Sequence, residues 1–265
     1  MDTSRGRRAP RFVSAGRAPI VGLGDATSEA LVFFDPLYLV LIVLTVMISG
    51  AAQLYIRSTY GKWSRVPNAA RLTGAQVAEY LRDHARFGDV PGRQALSAIT
   101  IVPGDLSDHF DPRDRSLGLS AAVAQQPSVA AMAIAAHEVG HAQQNAEGTV
   151  AMRLRGFLVP AASLGPSVAY GLIIAGLIFR LTSLVTLGIA FFAIAVLFSI
   201  LTLPVEIGAS RRALTMLSAS GLLVSEEDSR GARAMLTAAA LTYAAAAVTA
   251  VLTLLYYLTL ARRSS

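Results

Sequence analysis

The chain has 265 residues, of which 54% are hydrophobic and only 15% charged, and its mean hydropathy of +0.52 lies on the membrane side of the range for soluble domains. It contains no cysteine, which excludes a disulfide framework, a thiolate metal site and a cysteine nucleophile, and leaves any metal to His, Glu, Asp and water. The net charge of +6 comes almost wholly from arginines spread over every segment outside the apolar runs, a pattern that sets topology and touches anionic lipid rather than forming a nucleic-acid surface.

Residues 1–30 form an Arg-, Gly- and Ala-rich arm with the composition of a disordered extension. Leu37 to Ile56, within a segment 31–56, is free of charge and long enough to cross about 30 Å of hydrocarbon as a first transmembrane helix. The competing reading is a cleaved signal peptide, with five arginines before the apolar run and Ser49-Gly50-Ala51-Ala52 as small residues for a cleavage site.

Residues 57–156 are the only stretch large enough for a small folded domain. Thr73-Gly74-Ala75-Gln76 is a capping box, and Val77, Tyr80, Leu81 and Phe87 predict an amphipathic helix ending at Gly88. Ser97 to Val102 reads as a strand, and Asp108 to Asp111 with Pro112-Arg113-Asp114 as a turn into a second short strand, Ser116 to Ser120. A further helix is expected from Ser128 to about Asn145.

Phe157 to Phe179 and Leu184 to Leu203 predict a transmembrane hairpin turning at Arg180, the two spans filling residues 157–203. Residues 204–235 follow as a loop and helix, with Ser225-Glu226-Glu227-Asp228 a capping box rather than a metal site. Leu236 to Leu260 is the fourth span, closed by Arg262 and Arg263 in a tail from 261; a buried helix of a soluble core is its competing reading. Four crossings put residues 57–156 and 204–235 on one side. Those segments hold fifteen Lys and Arg against eight on the other side, so the positive-inside rule favours a cytoplasmic site, although five arginines in the N-terminal arm pull the other way.

The chemistry centres on His137-Glu138-Val139-Gly140-His141. Two imidazoles at i and i+4 point from one helix face at one divalent cation, and Glu138 between them is placed to act as a base. The bland alternative is a pair of polar residues satisfied on a helix face. A catalytic zinc takes three protein ligands and an open position. The metzincin pattern would need Gly at 144 and His at 147, where this chain has Gln144 and Glu147, so the third ligand must come from elsewhere. Glu206, where the third span meets water, is the candidate that remains; its rival role is a salt bridge to Arg211 or Arg212.

With zinc as cofactor, His₂Glu ligation and Glu138 as general base, the pattern points to peptide-bond hydrolysis. His109, Arg211 and Arg212 are open candidates for contacts to substrate or transition state, His109 having local hydrogen bonding as its competing role. His84 falls seven residues after Val77 and reads as a core histidine. A free edge of the strand Ser116 to Ser120 would hold an extended substrate. The other class of reading is a non-catalytic membrane scaffold or transporter subunit with a structural metal site. Structural zinc sites are closed by four ligands, and three ligands plus an unneeded Glu138 favour catalysis.

Several segments carry a resemblance in order and spacing: Phe34-Asp35-Pro36, Leu72-Thr73-Gly74-Ala75, Leu106 to Arg113, Ala135 to Ala142, Arg153-Leu154-Arg155, and Leu203-Pro204-Val205-Glu206 with Ala209 to Ala213. Over residues 34–260 the chain resembles the bacterial membrane neutral zinc metallopeptidase family, the YugP-like proteins. The resemblance implies a mainly α integral membrane protein with a small α+β zincin-like domain, a gluzincin-like protease of the bacterial inner membrane. It implies His137, His141 and Glu206 as zinc ligands and Glu138 as catalytic base. Its partners would be the lipid bilayer and a membrane-associated or membrane-proximal polypeptide substrate. Two departures stand out: the arm before residue 31 is an extension, and the family pattern carries an acid at the position of Gly208. If that acid orients a ligand, its loss implies weaker metal affinity here.

Overall fold

The computed structural model describes residues 35–84, 87 and 89–264. The basic arm and the expected helix end at Gly88 lie outside them.

Helix α1, Pro36–Trp63, starts at Asp35, whose carboxylate accepts a hydrogen bond from the Leu37 amide at 3.0 Å, with Pro36 supplying a helical φ at the first position. Most of α1 is exposed and apolar. Its last turns are different: Thr59 and Trp63 are buried, and Ile56 and Tyr60 pack on the core of the domain that follows.

That domain opens with α2, Gly74–His84. The capping box is reciprocal, Gln76 N donating to Thr73 Oγ1 at 3.3 Å and Thr73 N to Gln76 Oε1 at 2.9 Å. Its buried face is Val77, Ala78 and Leu81. The helix stops before Phe87, which is buried in an isolated bridge to Val90. A short α3, Gly92–Ala95, leads to three strands: β1 Ala98–Val102, β2 His109–Asp111 and β3 Ser116–Ser120.

The sheet order is β1-β3-β2, with β1 parallel and β2 antiparallel to β3. Thus Ser116–Ser120 is the central strand and offers no free edge, contrary to expectation. Its apolar Leu117 and Leu119 are fully buried, and a strand placed that deep takes partners on both sides. The edge facing the candidate site belongs to β2.

After α4, Ala121–Gln125, the helix α5 runs Val129–Ala146, with Ser128 Oγ accepting from Ala131 N at 3.1 Å. Nearly every residue of α5 up to Ala142 is buried, because alanines let neighbouring elements approach on all sides.

Three long helices complete the molecule: α6 Val150–Ile178, α7 Thr182–Ala219 and α8 Glu226–Ser264. Helices α1, α7 and α8 are long and apolar enough to cross a membrane; α6 adds a fourth if its arms Val150–Pro160 and Ala162–Ile178, bent by 46°, count as one span. Pro160 accounts for the bend, since it lacks the N–H for an i−4 bond and its ring crowds the Gly156 carbonyl. Helix α7 does not end at Leu203 but continues through Pro204 for four more turns into the domain. Helix α8 is capped by Ser225 and Asp228, each donating its backbone N–H to the other's side-chain oxygen at 3.0 Å. Asp228 also accepts from Ala69 N at 3.1 Å, so the acidic cluster is structural. One core lies in the domain and a second, built on Ile173, Ile189, Phe192, Val196 and Tyr257, lies among the spans.

Candidate metal centre and active site

The site forms where α5 lies against α7. A Cβ on Gly140 would stand 2.6 Å from the Ala209 carbonyl oxygen, so only glycine lets the two backbones approach this closely. That approach sets His137 and His141, one turn apart on α5, opposite Glu206 and Ser210, one turn apart on α7. Glu206 Oε2 lies 3.2 Å from His137 Nε2 and 3.4 Å from His141 Nε2. All three ligand atoms fall within 4.8 Å of one another, and all three residues are buried, Glu206 to 1% exposure.

The other ring nitrogens are held. Gln144 Nε2 donates to the Val205 carbonyl at 2.8 Å, which turns Oε1 toward His141 Nδ1 at 3.0 Å and requires a proton on that nitrogen. Ser210 Oγ lies 3.2 Å from His137 Nδ1. The Gln144 contact leaves the Nε2 lone pair of His141 free for a metal, while the Ser210 hydroxyl, which can donate or accept, suits either tautomer of His137. The second Glu206 oxygen is 3.0 Å from Arg155 Nη1 without the alignment of a hydrogen bond.

A cavity of about 420 Å³ opens over this group. Its walls are Asp108, His109, Phe110 and Pro112 from β2 and its flanks, His137, Glu138, His141 and Gln144 from α5, Met152, Arg153, Arg155, Gly156 and Val159 from α6, and Tyr243 from α8. Burial pushes the Glu138 carboxyl up to about 7; His137 opposes the shift, while Glu206 and Asp108 add to it. Asp108 accepts from Ser120 N at 2.7 Å and from its hydroxyl, tying the loop before β2 to the end of β3. His109 Nδ1 bonds the Ser107 carbonyl at 2.8 Å, and its ring lies over Gly118, where a Cβ would stand 2.7 Å from Cε1.

Residues 38–262 match the family described as "Putative neutral zinc metallopeptidase". The chain belongs to that family. The "Putative membrane protease YugP" of Bacillus subtilis (strain 168) is 36% identical over 221 residues, covering 83% of this chain and 95% of that protein. No solved structure matches the chain.

Zinc is the metal of this peptidase family, and the three converging residues fit it. Ligand arms of about 2.0–2.2 Å meeting at a tetrahedral angle place ligand atoms roughly 3.3 Å apart. The separations of Glu206 Oε2 from the two histidine nitrogens, 3.2 and 3.4 Å, match that edge. A donor set of two imidazoles and one carboxylate, with an open side toward the cavity, suits zinc.

Of the residues expected from sequence, His137, Glu138, His141, Glu206 and His109 share this cavity. Arg211 and Arg212 do not. Five and six positions beyond Glu206 on a helix they turn to other faces; both line a separate cavity, and Arg212 pairs with Glu147 at 2.6 Å. His84 is exposed rather than buried, its ring stacked on Tyr80 at the end of α2, where the helix runs past the core. Sequence reasoning missed Gln144, Ser210, Arg155 and Tyr243 as neighbours of the site. Helical spacing could have found the first two, at i+3 from His141 and i+4 from Glu206. The other two come from α6 and α8, whose docking no local pattern announces.

Proposed function

We propose that the protein is a zinc-dependent, gluzincin-like endopeptidase of the bacterial inner membrane that cleaves membrane-associated or membrane-proximal polypeptides. The observation that carries this reading is the convergence of His137, His141 and Glu206 beside the buried Glu138 in one open cavity. Zinc, when bound, acidifies a water molecule and polarises the substrate carbonyl. The protein's part begins with Glu138, whose carboxylate takes the proton of the attacking water and returns it to the leaving amine. Burial raises its affinity for a proton above that of an ordinary carboxylate, which suits the uptake of the water's proton.

Gln144 and Ser210 hold the histidine rings so that the Nε2 atoms converge. Arg155 neutralises the Glu206 oxygen turned away from the histidines. His109 and Tyr243 face the cavity and contact the substrate. The substrate backbone lies along the free edge of β2, where strand addition presents an extended chain to the cavity.

The test is Glu138→Gln in purified protein. Bound zinc should stay at the wild-type level while peptide cleavage is lost, by roughly 10²-fold or more. Cleavage at the wild-type rate in this variant would refute the assignment of the base, and a zinc-loaded wild type that cleaves none of the membrane proteins co-expressed with it would refute the peptidase reading.

A further inference from the structure

The four long helices locate the metal-binding group relative to the bilayer independently of one another. A hydrocarbon core of about 30 Å takes about 20 helical residues. Counting that length from the remote end of each helix, Pro36 on α1, Ile178 on α6 and Thr182 on α7, and from Arg262, where the candidate span on α8 ends, reaches about Ile56, Val159, Leu201 and Tyr243. Ile56 packs on the domain core, and Val159 and Tyr243 line the cavity. The exposed apolar surface agrees: on α1 it ends at Tyr55, on α7 at Ile200, and on α8 it begins at Leu241. The floor of the cavity therefore coincides with the edge of the hydrocarbon. Glu206, five residues past Leu201, stands about 8 Å outside it.

Helix α6 adds a separate observation. Its outer arm, Val150–Pro160, has two opposite faces. Met152 and Arg155 look into the cavity, Val159 lines its rim at 46% exposure, and Val150, Leu154 and Phe157 on the other face are exposed at 66%, 44% and 81%. Those three, at i, i+4 and i+7, continue the exposed stripe of Leu164 and Val168 across the 46° bend. The inner arm alone, Ala162–Ile178, is about 26 Å long, shorter than a hydrocarbon core of about 30 Å, which puts the membrane surface near the start of the outer arm. The occupant of the stripe is lipid, because the same face is continuous with that of the span. The 46° bend tilts the outer arm toward the surface as it leaves the hydrocarbon, with its arginine-bearing side turned to the cavity.

Resting on the peptidase reading, we propose that this site works in the headgroup layer. Its substrate is a membrane-anchored polypeptide, cut outside the hydrocarbon in an extended juxtamembrane segment. An extended chain rises about 3.3 Å per residue, so a depth of about 8 Å places the cleaved bond about two to four residues beyond the anchor.

Two measurements test this. In proteoliposomes, a series of substrates with one apolar anchor and a polar sequence shifted residue by residue is cleaved and the products are mapped by mass spectrometry. The cut should stay at a fixed distance of about two to four residues from the anchor, and removal of the anchor should slow turnover at least about tenfold, since anchoring supplies the effective concentration. Cleavage inside the apolar stretch, or equal turnover without the anchor, overturns the proposal.

The second measurement needs no activity. The chain has no native cysteine, so spin labels on Leu154→Cys and Phe157→Cys report depth directly. Both should be reached by oxygen, shielded from an aqueous relaxation agent, and shallow. Labels open to water, at mid-bilayer depth, or covered by protein contradict the placement whatever the activity. Shallow labels with no substrate cleaved would defeat the peptidase reading and leave the placement standing.

Discussion

Gln144 makes two hydrogen bonds across the site. Its amide joins the His141 ring to the carbonyl of Val205, the residue before Glu206, so one side chain ties the two ligand-bearing helices together. Gly208 provides the space, since a Cβ there would lie 2.6 Å from Gln144 Nε2. Gln144→Leu should lower zinc affinity about 10–100-fold, read by competition with a chromophoric chelator, and alter the absorption spectrum of the cobalt-substituted protein. Gly208→Ala should act in the same direction by displacing the amide. Wild-type zinc affinity in both variants would show that His141 is oriented without Gln144.

Elements that rest on local chemistry were legible from sequence. The caps at Thr73, Ser128 and Ser225 all form as their side chains dictate, and the strand at Ser116–Ser120 lies where its composition placed it. What escaped were features set by partners. The edge of the sheet depends on where β1 and β2 dock, which five-residue patterns do not encode, so β3 was expected at an edge and lies at the centre. The third span was expected to end at Leu203 because the apolar run stops there. A single proline removes only one i−4 bond, and burial of Val205, Glu206, Ala209 and Ala213 against the domain carries the helix onward. The same extension turns Arg211 and Arg212 away from the cavity while it brings Glu206 and Ser210 in.

For the molecule as a whole, the metal group depends on a helix long enough to be a membrane span, because Glu206 belongs to α7 while its partners belong to the domain helix α5. His137 and His141 were readable from one motif, and Glu206 from the cost of an ionisable group at a span end. Arg155 and Tyr243 required the assembled bundle. Four crossings with the site in the cytoplasm, the arrangement that the charge balance favours, predict that a reporter fused to the C-terminal tail is active only as an exported enzyme such as a phosphatase; activity of a cytoplasmic reporter there would reverse the orientation. The central claim is that a span supplies the third ligand. Zinc content of purified Glu206→Ala, measured against wild type by atomic emission, tests it most directly: the variant should lose bound zinc and with it peptide cleavage, whereas full zinc occupancy with wild-type activity would contradict the account.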